Sequence, residues 1–162
     1  MAARWWWEPK IKTAVIESAG IIGLAMLPPG KFHPFNLDTR GLAAVMHVAK
    51  KRGARRCVVG IGGSATNDGG FGLACGLGWK FFDAGDGAIE CWTELAKLAR
   101  IEKPRVQTLP KQIIVAVDVQ NRLLGPRGCT RVYGPQKGLQ PRDFPKAEGA
   151  LRRLAMVVRW AR

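Results

Sequence analysis

Paired cysteines are missing from this chain. Its four, Cys57, Cys75, Cys91 and Cys129, stand far apart, with no C-x-x-C and no histidine at ligand spacing. That arrangement speaks against a zinc site or a disulfide framework and leaves free thiols. A long apolar run is missing too. No stretch would span a bilayer, and the opening MAARWWWEPKIK carries charge where a secretory leader needs an apolar segment, so the sequence reads as cytoplasmic with no membrane partner. Acid is scarce: 12 Asp and Glu against 26 Lys and Arg leave a net charge of +14. A balance of that size raises affinity for polyanions. The cations are nevertheless spread along the chain, with local clusters only in KKRGARR at 50–56 and at Arg152, Arg153, Arg159 and Arg162. Neither cluster interleaves basic with aromatic residues as a stacking platform would, and solvated helix faces account for the charge. Nucleic acid is not an expected partner. Internal repeats and low-complexity tracts are absent as well.

What is present suffices for one domain: 162 residues, 47% of them hydrophobic, can bury a real core. From Lys12 the run KTAVIESAGIIGLAML reads as a helix stopped by Pro28–Gly30. GLAAVMHVAKKRG follows with Leu42, Val45, Met46 and Ala49 at helical spacing and Gly53 as its stop. CVVGIG is a short β-branched run of the kind buried in a parallel sheet. Beyond it, GFGLACGLG reads as a short helix, WKFFDAGDGAIECW as a hairpin around AGDG, and TELAKLARI as a helix capped by Thr93. QIIVAVDV, 112–119, is a second strongly buried strand ending at Asp118; QNRLLGPRGCTRVYGPQKG is turn-rich, and the final DFPKAEGALRRLAMVVRWAR puts Leu151, Leu154, Ala155 and Val158 on one helical face. Helices alternating with apolar strands predict an α/β architecture with a mainly parallel sheet. Ligands of such sheets sit at the carboxyl ends of the strands, where the glycine-rich loop and Asp118 would both fall.

That loop, GIGGSATNDGGFG at 60–72, holds six glycines. Either a tight turn needs them, or backbone N–H groups must come close to a ligand, phosphate above all. It lacks the G-K-[ST] of a Walker A motif and does not meet the dinucleotide fingerprint. Its polar residues are informative. Ser64, Thr66 and Asn67 can donate or accept hydrogen bonds, while Asp68 can bind a cation or take a proton. An amide cradle and a carboxylate are the parts phosphoryl transfer needs.

GIGGSATNDGG resembles the signature of the type 1 glycerate kinases, and TAVIESA, DVQNRLLGPRG from Asp118 and VYGPQKG from Val132 agree with that family in order and spacing. The resemblance implies ATP-dependent phosphoryl transfer to D-glycerate with Mg2+, and a three-layer sheet flanked by helices, the central domain of a two-domain enzyme. It implies a cleft lined by Ser64, Thr66, Asn67 and Asp68, with Asp118 and Asn121 at a neighbouring strand end and Gln136 and Lys137 from the GPQKG turn. The roles expected are catalysis by Asp68, Asn67 and Lys137, with an anion cradle at Gly62, Gly63 and Ser64, magnesium or the glycerate proton at Asp68, and a phosphate or carboxylate partner in Lys137.

Departures accompany the match. TRGLAA puts Leu42 and Ala44 where the family has a hydroxyl and a carboxylate, and the D-S-F-K-G-like, D-G-G-E-G-T, G-A-G-A-A-G-G-like and G-E-G segments are missing. The expected layout is therefore an unmatched segment at 1–12 and a central α/β domain at 13–162, without the family's N- and C-terminal parts. Activity should be impaired or lost in the isolated chain, with the remainder of the kinase as partner if it is expressed separately. The alternative is a non-catalytic domain that keeps anion or nucleotide binding. Trp5–Trp7 mark either a mistranslated start or an apolar patch meant for absent protein.

Overall fold

In the computed structural model, which describes residues 3–106 and 109–160, β1 (Trp5–Glu8), β2 (Thr13–Glu17), β3 (Arg56–Ile61) and β6 (Gln112–Val117) form one sheet in the order β1-β2-β3-β6. β1 runs antiparallel to β2, whereas β2, β3 and β6 are parallel. The helices are α1 (Ala19–Ile22), α2 (Arg40–Lys51), α3 (Phe71–Gly76), α4 (Cys129–Lys137) and α5 (Phe144–Trp160). A mainly parallel sheet flanked by helices is the expected α/β architecture.

α2 follows the sequence pattern closely. Leu42, Val45, Met46 and Ala49 are buried against Ala14, Ile16, Cys57 and Val59 of the sheet, and Gly53 stops the chain in the left-handed conformation at φ +97°. A second core lies between α5 and the small antiparallel pair β4 (Lys80–Asp83) and β5 (Leu98–Glu102), where Phe71, Phe81, Trp92, Leu95, Leu98 and Leu154 meet. The basic 50–56 segment is exposed at the amino end of β3, opposite the end that runs into the glycine loop. Among the described residues no helix is long and apolar enough to cross a membrane.

Five local expectations are corrected. The run from Lys12 is β2, α1 and a 3-10 turn at Leu24–Met26, because Thr13, Val15 and Ile16 pair with β3, and the chain then bends at Gly23, where a Cβ would lie 2.0 Å from the Ala19 carbonyl oxygen. The expected hairpin around AGDG keeps its first arm as β4, but its return arm makes one bridge, Phe82 with Ala88, and the ladder partner of β4 is β5. TELAKLARI is a 3-10 turn over Trp92–Lys97 followed by β5. Trp92, Leu95 and Leu98 recur every third residue, so a three-residue turn buries all three. The supposed GPQKG turn is the end of α4, whose interior Pro135 is followed by a left-handed stop at Gly138, φ +105°. Finally, QIIVAV is a strand, yet every residue of it is exposed. Ala161 and Arg162, with which the last helix was expected to end, lie outside the described residues.

One carboxylate ties the glycine loop to two helices. Asp68, 1% exposed, accepts at Oδ2 from the Thr39 N–H (2.9 Å), the Thr39 hydroxyl (2.7 Å) and the Gly72 N–H (2.8 Å), and at Oδ1 from the Gly70 N–H (3.3 Å). The Thr39 hydroxyl oxygen in turn accepts from the Leu73 N–H at 2.8 Å. Thr39 is the N-cap of α2, and Gly72 and Leu73 lie in the first turn of α3, so a single side-chain pair holds the entry to α2 and satisfies two first-turn donors of α3. The brace demands close approach: a Cβ on Gly72 would stand 2.6 Å from the Thr39 nitrogen and 2.7 Å from Asp38. We predict that Asp68→Asn and Gly72→Ala each lower the unfolding free energy by roughly 2 kcal/mol in urea titrations. Unchanged midpoints in both variants would remove Asp68 from this structural role.

Candidate functional site

The carboxyl ends of β3 and β6 open into a cavity of about 390 Å³ lined by Gly62, Gly63, Ser64, Asp118, Asn121, Gln136 and Lys137, together with Ile61, Val117, Val119, Cys129 and Tyr133. Seven residues picked out in the sequence therefore converge from the glycine loop, the end of β6 and α4. A second cavity, about 530 Å³, adjoins it along Ile61, Gly62, Gly63, Val117 and Asp118 and extends to Glu17 and Ala19.

The loop is fixed from beneath. Ser18, 1% exposed, donates its hydroxyl to the Gly62 carbonyl at 3.2 Å and accepts from the Gly62 N–H at 3.3 Å. On the other side of the turn the Gly63 carbonyl accepts from the Leu24 N–H, and the Ala65 N–H donates to the Ile22 carbonyl. Among the described residues no protein acceptor serves the N–H of Gly63 or of Ser64. Gly63 adopts φ +57°, a left-handed residue of the kind that converges neighbouring amides into an anion-binding concavity. A Cβ on Gly62 would meet nothing within 4 Å. Packing does not require glycine there, whereas close approach of a ligand to the backbone would.

Lys137 supplies the positive charge. Its Nζ donates to the Thr66 carbonyl at 2.6 Å and to the Ser64 hydroxyl at 3.4 Å. Burial pushes its pKa below the ordinary lysine value, against the opposing pull of nearby Cys129 and Asp68. Tyr133 donates its hydroxyl to Asn121 Oδ1 at 2.6 Å and holds that amide at the cavity wall. The Cys129 thiol donates to the carbonyls of Arg122 and Leu123, and burial pushes its pKa up, which keeps it a thiol rather than a nucleophilic thiolate.

Three expected cleft residues lie elsewhere. Thr66 is buried, 6% exposed, and reaches the site only through its carbonyl to Lys137. Asn67 is 7% exposed and donates its side-chain amide to the Thr130 hydroxyl at 3.1 Å, tying the loop to α4. Asp68 is the helix brace described above. Magnesium does not fit it: its two oxygens already accept four hydrogen bonds, and among the described residues no group of three or more His, Cys, Asp or Glu side chains is placed to hold a metal ion. The carboxylate that does face both cavities is Asp118.

Sequence reading passed over Ser18, Thr39, Cys129, Thr130, Tyr133 and Glu148. Glu148 is buried and accepts the Gly125 N–H at 3.2 Å, anchoring the 118–128 loop to α5. The first two stand at punctuation points, after the β-branched run of β2 and directly before α2, and that position was the available signal. The others are brought in by α4 and α5 from far along the chain and left no local pattern.

The model of the glycerate kinase family matches residues 1–161. Glycerate 2-kinase of Escherichia coli is 36% identical over 157 residues, covering 93% of this chain and 40% of that protein. Glycerate kinase of Haemophilus influenzae is 38% identical over 151 residues, covering 90% of this chain and 39% of that one. Among solved structures, a protein assigned as glycerate kinase 2 from Salmonella typhimurium LT2 superposes with a TM-score of 0.84 at 34% identity, over 95% of this chain and 42% of that chain. The chain thus spans about 40% of the length of such relatives. By its family model and by these relatives, the chain belongs to the glycerate kinase family.

Proposed function

We propose that this chain is the central α/β part of a cytoplasmic glycerate kinase and supplies the anion cradle for ATP-dependent phosphorylation of D-glycerate. The observation that carries the reading is the single cavity uniting the unpartnered Gly63 and Ser64 amides with Lys137 and Asp118. Fixed N–H donors and a half-buried ammonium suit phosphate oxygens, because a hydrogen bond between charged partners is stronger than a neutral one. Lys137 is positioned by Thr66 and Ser64, leaving its remaining donor capacity for an anion. With Asp68 enclosed, we assign Asp118 the proton of the glycerate hydroxyl: as that oxygen attacks the γ-phosphorus and the bond to ADP breaks, the proton passes to the carboxylate. The fold family implies Mg2+, whose charge would offset that of the phosphates, but Asp68 does not fit as its ligand and no step here runs through the metal.

The chain alone binds the anion and turns over little or no ATP, since misplacing one wall of a cleft by an ångström costs about a hundredfold in rate. Titration calorimetry with inorganic phosphate tests the cradle. Lys137→Met should weaken binding about tenfold or more, whereas Asp118→Asn, which removes a like charge, should leave it equal or tighter. Loss in both variants, or in neither, contradicts these roles. A domain that binds phosphate and ATP yet never assembles into an active kinase would instead support the non-catalytic alternative.

The lysine also sets a pH dependence. Because burial depresses the Lys137 pKa, the fully charged cradle exists below that value and is lost as pH rises through it, before an ordinary lysine would titrate at about 10.4. Sulfate, which does not titrate in this range, should bind progressively more weakly there, and Lys137→Met should flatten the profile. An identical decline in the variant would assign the titration to another group.

A further inference from the structure

β6 carries the sequence of a buried strand and has none of the burial. Its side chains are apolar on both faces, the pattern of an interior parallel strand with a layer above and below. Yet Ile113, Ile114, Val115 and Val117 are 38%, 39%, 53% and 53% exposed. On one face α2 buries Ala14, Ile16, Cys57 and Val59. Ile113 is in register with Cys57 and Val115 with Val59, but that cover stops before β6. On the other face Trp6, Val15, Val58 and Ile114 fall in one cross-strand row through all four strands. Three members of that row, Trp6, Val15 and Ile114, are 78%, 44% and 39% exposed.

The edge is open as well. Gln112 donates its N–H to the Arg55 carbonyl, and successive residues of a strand turn their backbone groups to alternate edges. Ile113, Val115 and Val117 therefore present N–H and C=O outward, where no protein partner meets them among the described residues. Six residues of uncharged, mostly β-branched edge with bare apolar faces are a template for strand addition.

We propose that this edge and the Trp6–Val15–Val58–Ile114 row are an interface, occupied by the part of the glycerate kinase fold that this chain does not span. That part adds a strand beside β6 and lays an apolar layer over the row. The inference rests on the functional reading above. Length supports this occupant: relatives that match nearly all of the chain have 40% or so of their residues covered, leaving more than half of the family's fold outside it. Charge disfavours a second copy, since each would bring a net charge of +14 to the contact.

The test co-expresses the tagged chain with a polypeptide carrying the portions of Escherichia coli glycerate 2-kinase outside the matched region, followed by sedimentation and amide hydrogen exchange. The expected result is a one-to-one complex in which the amides of Ile113, Val115 and Val117 exchange at least about tenfold more slowly than in the free chain. Val115→Lys and Ile114→Lys should each abolish it while leaving exchange in α2 and β3 of the free chain unchanged, because both side chains are already exposed there. No complex, a complex in which those amides stay unprotected, or self-association through β6 would overturn the proposal. A complex protected at β6 that transfers no phosphate to glycerate upholds the interface and overturns the kinase reading; phosphate transfer without protection at β6 does the reverse.

Discussion

The Asp68 carboxylate is the constraint on which the site's geometry depends. Four donors from Thr39, Gly70 and Gly72 converge on it, and through them the amino ends of α2 and α3 are locked to the end of the glycine loop. With that end pinned, Asn67 reaches Thr130 and the Thr66 carbonyl reaches Lys137, so α4 is brought over the loop. Ser18 pins the opposite end of the loop at Gly62. Between the two anchors the amides of Gly63 and Ser64 have no protein acceptor among the described residues and lie on the cavity that Lys137 lines. Burial of a carboxylate with its acceptors filled is stabilising only while every partner stays in place, and so the loop is rigid where it meets the helices.

Glycines in the loop answer to both demands. Gly72 is required by the approach of Thr39, a structural need internal to the fold. Gly62 faces open space, where only a visiting ligand would profit from a missing side chain. One polar segment thus combines a structural turn and a binding surface, divided between its two ends.

Much of this was legible in the sequence, and the failures share a cause. α2 could be read because its apolar spacing, its basic last turn and Gly53 all agree. The glycine loop and Asp118 could be placed together because both fall at strand ends, whereas Asn121, Gln136 and Lys137 were reached through the family resemblance alone. Asp68 was expected to hold magnesium or take the glycerate proton, because a carboxylate in a polar glycine loop looks the same in sequence whether its partners come from a ligand or from Thr39, 29 residues away. The helix expected from Lys12 was overridden by pairing of β2 with β3, a contact no local window contains. β6 is the instructive case. Its apolar pattern predicts burial, yet all six residues are exposed, because the cover that α2 gives the sheet reaches Cys57 and Val59 of β3 and stops there.

Anion binding at the Gly63–Ser64 turn is distinct from diffuse attraction to a net charge of +14. Amide chemical-shift perturbation of the 15N-labelled chain, titrated with inorganic phosphate, tests it directly. Binding in the cradle should give the largest shifts at Gly63 and Ser64 with smaller ones at Gly62 and Lys137, and saturation at a single site. Diffuse, unsaturating shifts centred on the exposed basic segment at 50–56, with Gly63 and Ser64 unmoved, would contradict it.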